Sequence, residues 1–239
     1  MKNTSKLLIT SLLAVGGMLM PAVAAPITLD VVADNFTSAL NQTTNYGTNT
    51  KINILADGSY DTKERIGYFR FDLSAYTGGT ISGASFTLVP YDQFTANTNP
   101  QDFTIYGISD GGASENFAEG SQTWSNSGYA YSSGDITGTA NFGDLVDLGT
   151  LSGVSADDIG NPVNFSSAAL DNFLNNDGNN IITFLVYNTN GVGNFNGFEA
   201  KDLGAGRGSS LTVVPEPSSV VMVGLGLLAA FGLARKRCA

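Results

Sequence analysis

The chain has 239 residues, 42% hydrophobic and only 13% charged, with one Cys and no His. Those counts exclude a His-based catalytic triad, a His-ligated zinc, imidazole acid–base chemistry, an intramolecular disulfide and a Cys cluster. The net charge of −10, from 11 basic and 21 acidic residues, argues against nucleic acid as a partner.

The charge is divided along the chain. Lys2 and Lys6 lie near the start and Arg235, Lys236 and Arg237 near the end, so Ala25 to Val214 holds six basic and 20 acidic residues and stands at −14. The first segment reads as a secretory signal. Lys2 and Lys6 form a basic region, and Leu7 to Met20 is apolar apart from Thr10 and Ser11. Ala22-Val23-Ala24 then gives the small-x-small pattern cut by signal peptidase. Cleavage is expected after Ala24, since a cut one residue later would leave Pro26 first. The alternative is an uncleaved N-terminal anchor, for which the apolar run is short.

The middle segment, residues 25–214, reads as one all-β domain. Short runs rich in β-branched and aromatic residues alternate with Gly/Asn/Asp/Ser turns. The expected strands are Ile27–Val32, Ile52–Ala56, Arg65–Asp72, Ser82–Pro90, Phe103–Ser109, Asp144–Leu148, Ile181–Tyr187 and Ser209–Val214. In the fourth, Ala84, Phe86 and Leu88 share one face, the mark of a half-buried antiparallel strand. Ile181–Tyr187 is apolar except for Thr183 and is expected to be central. One short helix is expected at Ser167–Asn175, capped by Ser166 or Ser167, with Ala168, Leu170, Phe173 and Leu174 on its apolar side. Many short strands in one segment point to an antiparallel β-sandwich of jelly-roll type.

The last segment, residues 215–239, has three parts. Pro215-Glu216-Pro217 is expected to stay extended and accessible. Ser218 to Ala234 carries no charge and, as a helix rising ~1.5 Å per residue, is about 25 Å long, near the lower limit for spanning a bilayer. Arg235, Lys236 and Arg237 follow and would remain cytoplasmic. A buried core helix is the alternative, but Ser218–Ala234 has no polar face. The order of proline–glutamate–proline triplet, span and basic cluster resembles the PEP-CTERM sorting signal. That resemblance implies export across the inner membrane of a Gram-negative bacterium and a transient membrane anchor. It further implies processing by an exosortase, and a role at the cell surface or in the matrix, linked with exopolysaccharide and biofilm. A sortase Leu-Pro-x-Thr-Gly motif is absent, and a GPI signal lacks the basic end.

A second resemblance covers nearly all of Ile27 to Val214. Its pieces are Ala33-Asp34-Asn35-Phe36, Thr44-Asn45-Tyr46-Gly47-Thr48, Arg65 to Ser74, Thr80 to Ala84, Glu119 with Gln122-Thr123-Trp124-Ser125-Asn126, Phe198 to Asp202, and Ser210 to Val213. In this order they resemble the DNRLRE domain. The resemblance implies a jelly-roll-like sandwich of secreted and surface proteins, with related modules that bind polysaccharide, including uronic-acid polymers. Ala200-Lys201-Asp202 departs from that family's usual Ser-Arg/Lys-Glu, and Gly128–Gly149 matches poorly.

Paired carboxylates for glycoside hydrolysis could come from Asp157-Asp158 or Glu115 and Glu119, but an acidic domain offers such pairs by chance. A lyase base and Arg clamp would have to be drawn from Lys51, Lys63, Arg65, Arg70, Lys201 and Arg207. No catalytic residue is assigned. Hard oxygen ligands for Ca²⁺ stand at Asp57–Asp61, Asp110-Gly111-Gly112 and Asn175–Asn179, the last lacking the distal Glu of an EF-hand and reading first as a tight turn. Asp34 and Glu199 form another candidate Ca²⁺ pair, if the first and last strands adjoin. Tyr129 and Tyr131, in a Gly/Ser-rich loop, can form a sugar platform or a bland loop. Trp124 reads as core. Lys201 and Arg207 can pair an anionic glycan's carboxylates. Arg70 and Asp72 are expected to make internal polar contacts. The expected function is a non-enzymatic structural or adhesive surface protein, with a lectin-like module as the alternative and a polysaccharide-degrading enzyme third.

Overall fold

A computed structural model describes residues 25–55, 63–91, 100–130, 139–188 and 196–216, all within one compact unit, Ala24–Glu216. The strands are β1 (Ile27–Asp30), β2 (Ala33–Ser38), β3 (Lys51–Ile54), β4 (Arg65–Asp72), β5 (Ser85–Leu88), β6 (Gln101–Ile108), β7 (Leu145–Val154), β8 (Val163–Phe165), β9 (Ile181–Asn188), β10 (Asn196–Glu199) and β11 (Ser210–Val213). Helix α1 (Ala168–Asn175) lies between β8 and β9. One sheet runs β1-β11-β5-β8, a second β2-β4-β9-β6-β7, and β10 pairs with β3 apart from both. All the pairings are antiparallel. With β2 set aside as an added edge and the β3–β10 pair left out, the two orders are those of a jelly roll: the first strand pairs the last, and every step along the chain but β6 to β7 switches sheets.

The period-two pattern explains the layers. Phe69 and Phe71 of β4, Phe86 of β5 and Phe184 of β9 meet between the sheets, with Phe86 and Phe184 centroids 4.7 Å apart. The opposite face of the five-stranded sheet is also covered. There Ile66 and Tyr68 of β4 and Leu185 of β9 form a second apolar cluster with Phe117, Trp124 and Tyr129. The stretch from Phe117 to Tyr129, between β6 and β7, therefore serves as a second layer over the outer face. This is why β9, central between β4 and β6, is buried on both sides and reads as almost continuously apolar.

Helix α1 starts where its cap dictates. Ser167 has extended backbone, its hydroxyl accepts from Leu170 N at 2.9 Å, and the same hydroxyl donates to Leu148 O at 2.7 Å, tying the helix start to β7. Leu170 and Leu174 face the core, as expected.

The departures have local causes. β1 stops at Asp30, and the next segment forms the unexpected β2, a polar stretch buried at all six residues. Ala84 is buried on the same side as Phe86 and Leu88 but precedes β5. β7 runs on to Val154, across a register shift against β6. β8 and β10 were not expected.

The strip before the tail differs as well. Burial alternates from β11 onward: Leu211, Val213 and Pro215 are buried, Val214 is half-buried and Glu216 exposed. Ser82 N donates to Val214 O and Glu216 N to Thr80 O, both at 2.7 Å, and Pro215 bridges Ile81. The expected free strip is therefore corrected up to Pro215. The signal segment with Ala22 and Ala24, Asp57–Asp61, Tyr131, Pro217, the span 218–234 and Arg235, Lys236 and Arg237 lie outside the described residues. Among the described residues no helix is long and apolar enough to cross a membrane.

Candidate functional site

Among the described residues two polar clusters and a cleft stand out. The first cluster joins two turns distant in sequence. Asp110 follows β6, Glu115 stands in the next turn, and Asp177 lies between α1 and β9. One carboxylate oxygen from each lies within 4.8 Å of the others. Glu115 is buried and accepts from Gly111 N at 2.6 Å and Asn179 Nδ2 at 2.7 Å. Asp110 accepts from Gly178 N at 2.8 Å, and Asp177 from Asn180 N at 2.7 Å. Oδ1 of Asp177 is enclosed with no hydrogen-bond partner. Burial, and then the negative charges of Asp110 and Glu115, hold the Asp177 carboxyl above the ordinary carboxylate range. A hard cation is the species that relieves such crowding, so these three residues can hold a Ca²⁺ ion. Asp110 and Asp177 belong to turns already marked in the sequence; their meeting with Glu115 was not legible there.

A cleft of about 500 Å³ opens beside this cluster, with Asp110 and Asp177 in its lining. Val146, Ala169 and Phe173 give it apolar surface; Ser109, Asn172 and Asn176 supply polar groups. Phe173 can lie across β6 because residue 107 is glycine: a Cβ there would stand 2.5 Å from Phe173 Cζ. Val146 is exposed while Ala169 and Phe173 are half-buried against the core, and an apolar surface edged by amides and carboxylates can stack a sugar ring and bond its hydroxyls.

The second cluster is a brace. Lys201 N donates to Asp34 Oδ2 at 2.8 Å, and Asp34 N donates to Glu119 Oε1 at 3.0 Å. Lys201 Nζ pairs with Glu119 at 2.9 Å and with Asp202 at 3.3 Å. Arg207 forks Glu199, with Nε donating to Oε2 at 2.8 Å and Nη2 to Oε1. Asp34 is fully buried, and loss of solvation raises its carboxyl from 3.8 to about 7, the Lys201 amide opposing and Glu119 adding to the rise. The hydrogen bond to Glu119 raises the Lys201 ammonium. Asn45 Nδ2 bonds Glu119 O at 2.6 Å and Gln122 O at 2.7 Å, and Asn35 Nδ2 bonds Gln122 O at 3.0 Å.

This geometry revises several expectations. Tyr129 is fully buried in the second apolar cluster and presents no face to a sugar. Lys201 and Arg207 are engaged by the chain's own carboxylates. Glu199 is held by Arg207 and Asp34 by Lys201 N, so the two face different partners. Glu115 and Glu119 belong to different clusters, and Asp158 Oδ2 caps a turn by accepting from Ser155 N at 2.8 Å. Arg70 donates to Asn116 Oδ1 at 2.5 Å and Phe117 O at 2.6 Å, and Trp124 is buried, both as expected. Asp72 Oδ1 accepts locally from Ser74 N.

The chain matches the model of carbohydrate-binding module family 96 over residues 25–143, just short of half its length. Residues 213–237 match the PEP-CTERM protein-sorting motif. No curated protein matches the chain. Among solved structures, a xylan-binding module, CBM15, aligns with 81% of this chain and 99% of its own at 10% identity and a TM-score of 0.33. The chain is thus similar to carbohydrate-binding module family 96 over residues 25–143 and carries a PEP-CTERM sorting motif at residues 213–237.

Proposed function

We propose that the protein is an exported, exosortase-processed surface protein whose sandwich is a non-catalytic carbohydrate-binding module. The observation that carries this reading is the match to carbohydrate-binding module family 96 over residues 25–143. It moves carbohydrate binding ahead of a purely structural or adhesive role, and the DNRLRE-like pattern of the same segment points the same way. Signal peptidase cleavage after Ala24, the membrane span at 218–234 and residence at the Gram-negative surface or in a polysaccharide matrix complete the proposal. The match to the sorting motif supports its export and processing.

The cleft beside α1 is the proposed glycan seat. Phe173 offers the ring face, Asn172 and Asn176 the hydrogen bonds, and the Asp110–Glu115–Asp177 cluster the site for Ca²⁺. Lys201 and Arg207 are structural in this reading. The test is a glycan array with residues 25–216, with Ca²⁺ and with chelator, beside Phe173→Ala and Asp177→Asn. Binding that Phe173→Ala abolishes supports the cleft, and Ca²⁺-dependence lost in Asp177→Asn supports the cation. A folded domain that retains no glycan under either condition defeats the reading.

A further inference from the structure

The start of the sorting motif, through Pro215 and Glu216 of its proline–glutamate–proline triplet, is built into the sandwich. β11 lies between β1 and β5, and its inward–outward alternation continues through Pro215. The receiving segment is Thr80–Ser82. Ser82 N donates to Val214 O and Glu216 N to Thr80 O, each at 2.7 Å, and Ile81 stands opposite Pro215.

The proline fits for a specific reason. In an antiparallel ladder, pairs that exchange hydrogen bonds alternate with pairs that do not. Pro215 occupies a position between the two bonds, where no N–H is required of it, so its lack of a donor costs nothing. The partner is fixed from its other side. Ile81 N donates to Asn175 Oδ1 at 2.8 Å, and Asn175 Nδ2 donates back to Ile81 O at 2.9 Å. The Asn175 amide, at the last residue of α1, thus occupies the place of a neighbouring strand. Ile81, Pro215 and the backbone between them are held between the helix end and the sheet.

A protease must draw several residues of free, extended backbone into its active site. Within Val214–Glu216 that backbone is paired, and the Pro215 ring is buried. We propose that the sandwich shields Val214–Glu216 at the start of the motif, so that processing cuts no earlier than the Glu216–Pro217 bond and the mature domain keeps these residues in its sheet. The proposal rests on the exosortase reading and adds where the cut falls. Two backbone bonds and one buried ring hold cutting inside the strip to a rate on the order of 100-fold below that of an unpaired strip.

The experiment follows the full chain by pulse-labelling in a strain that carries an exosortase and in the same strain without it. It reads the rate of tail loss and, by intact mass, the C-terminal residue of the product. The expected wild-type product ends at Glu216 or beyond. Asn175→Ala, which unpins Ile81, is expected to add products ending before Glu216, appearing at least 10-fold faster than in wild type. A wild-type product ending at Pro215 or earlier overturns the proposal whether or not the variant folds. So does a folded Asn175→Ala protein with unchanged ends and rates. Tail loss that is unchanged in the strain without exosortase overturns the processing reading instead.

Discussion

Asp34 holds a buried carboxyl raised from 3.8 to about 7 by loss of solvation, with one oxygen accepting from Lys201 N and the other without a partner. The consequence for stability has a definite sign. Below about pH 4 the group is neutral in both the folded and unfolded chain and costs nothing. Between about pH 4 and pH 7 the unfolded chain releases its proton while the folded domain keeps it, so stability falls by ~1.4 kcal/mol per pH unit. Above about pH 7 both forms are ionised and the loss levels off. A shift of about three units sets its ceiling near 4 kcal/mol. Asp34→Asn keeps an oxygen for the Lys201 amide and cannot ionise. The advantage of the variant over wild type should therefore grow by up to about 4 kcal/mol from pH 4 to pH 8. Urea unfolding of residues 25–216 at each pH unit measures it, and the other carboxylates cancel in the difference. A difference that stays flat within about 1 kcal/mol, or runs the other way, refutes the assignment of this carboxyl as neutral in the folded domain at mildly acid pH.

Two further substitutions probe the brace and the cleft. Arg207→Ala strips the partner from Glu199, whose side chain is only 4% exposed, and should cost about 3 kcal/mol in urea unfolding. Arg207→Lys should recover only part, because an ammonium cannot reproduce the two-pronged contact, and a loss under about 1 kcal/mol would mean that Glu199 does not depend on it. Gly107→Ala places a methyl group where Phe173 lies, with an expected loss of about 1–3 kcal/mol and a displaced ring. Unaltered melting would show that Phe173 is not seated over β6.

How much was legible depends on where the polar groups lie. β4 was readable to its ends, and α1 announced itself through Ser167 and its apolar side. β2 escaped because Ala33-Asp34-Asn35-Phe36-Thr37-Ser38 has the composition of a loop. The brace lies against its buried polar side chains, with Asn35 Nδ2 bonded to Gln122 O and one Asp34 oxygen to Lys201 N. β10 is four residues long, and its Glu199 is held by Arg207. Tyr129 was misread because its Gly/Ser-rich surroundings signal exposure, and nothing local reveals that the loop folds over the outer face of the sheet. The residues behind the second resemblance, among them Asp34, Asn45, Glu119 and Lys201, turn out to meet as structural supports. The Asp110–Glu115–Asp177 cluster joins turns separated by β7, β8 and α1, a distance only the closed fold spans.

The position of β11 has a mechanical consequence. Its sheet neighbours are β1 on one side and β5 on the other, and the chain leaves it directly through Val214–Glu216. Tension along the tail pulls on both ladders lengthwise, so their bonds share the load together rather than opening one at a time from an end. A strand on the rim, such as β8, would instead be stripped from its single neighbour. A pull on the C-terminus would thus be resisted by the middle of the sheet.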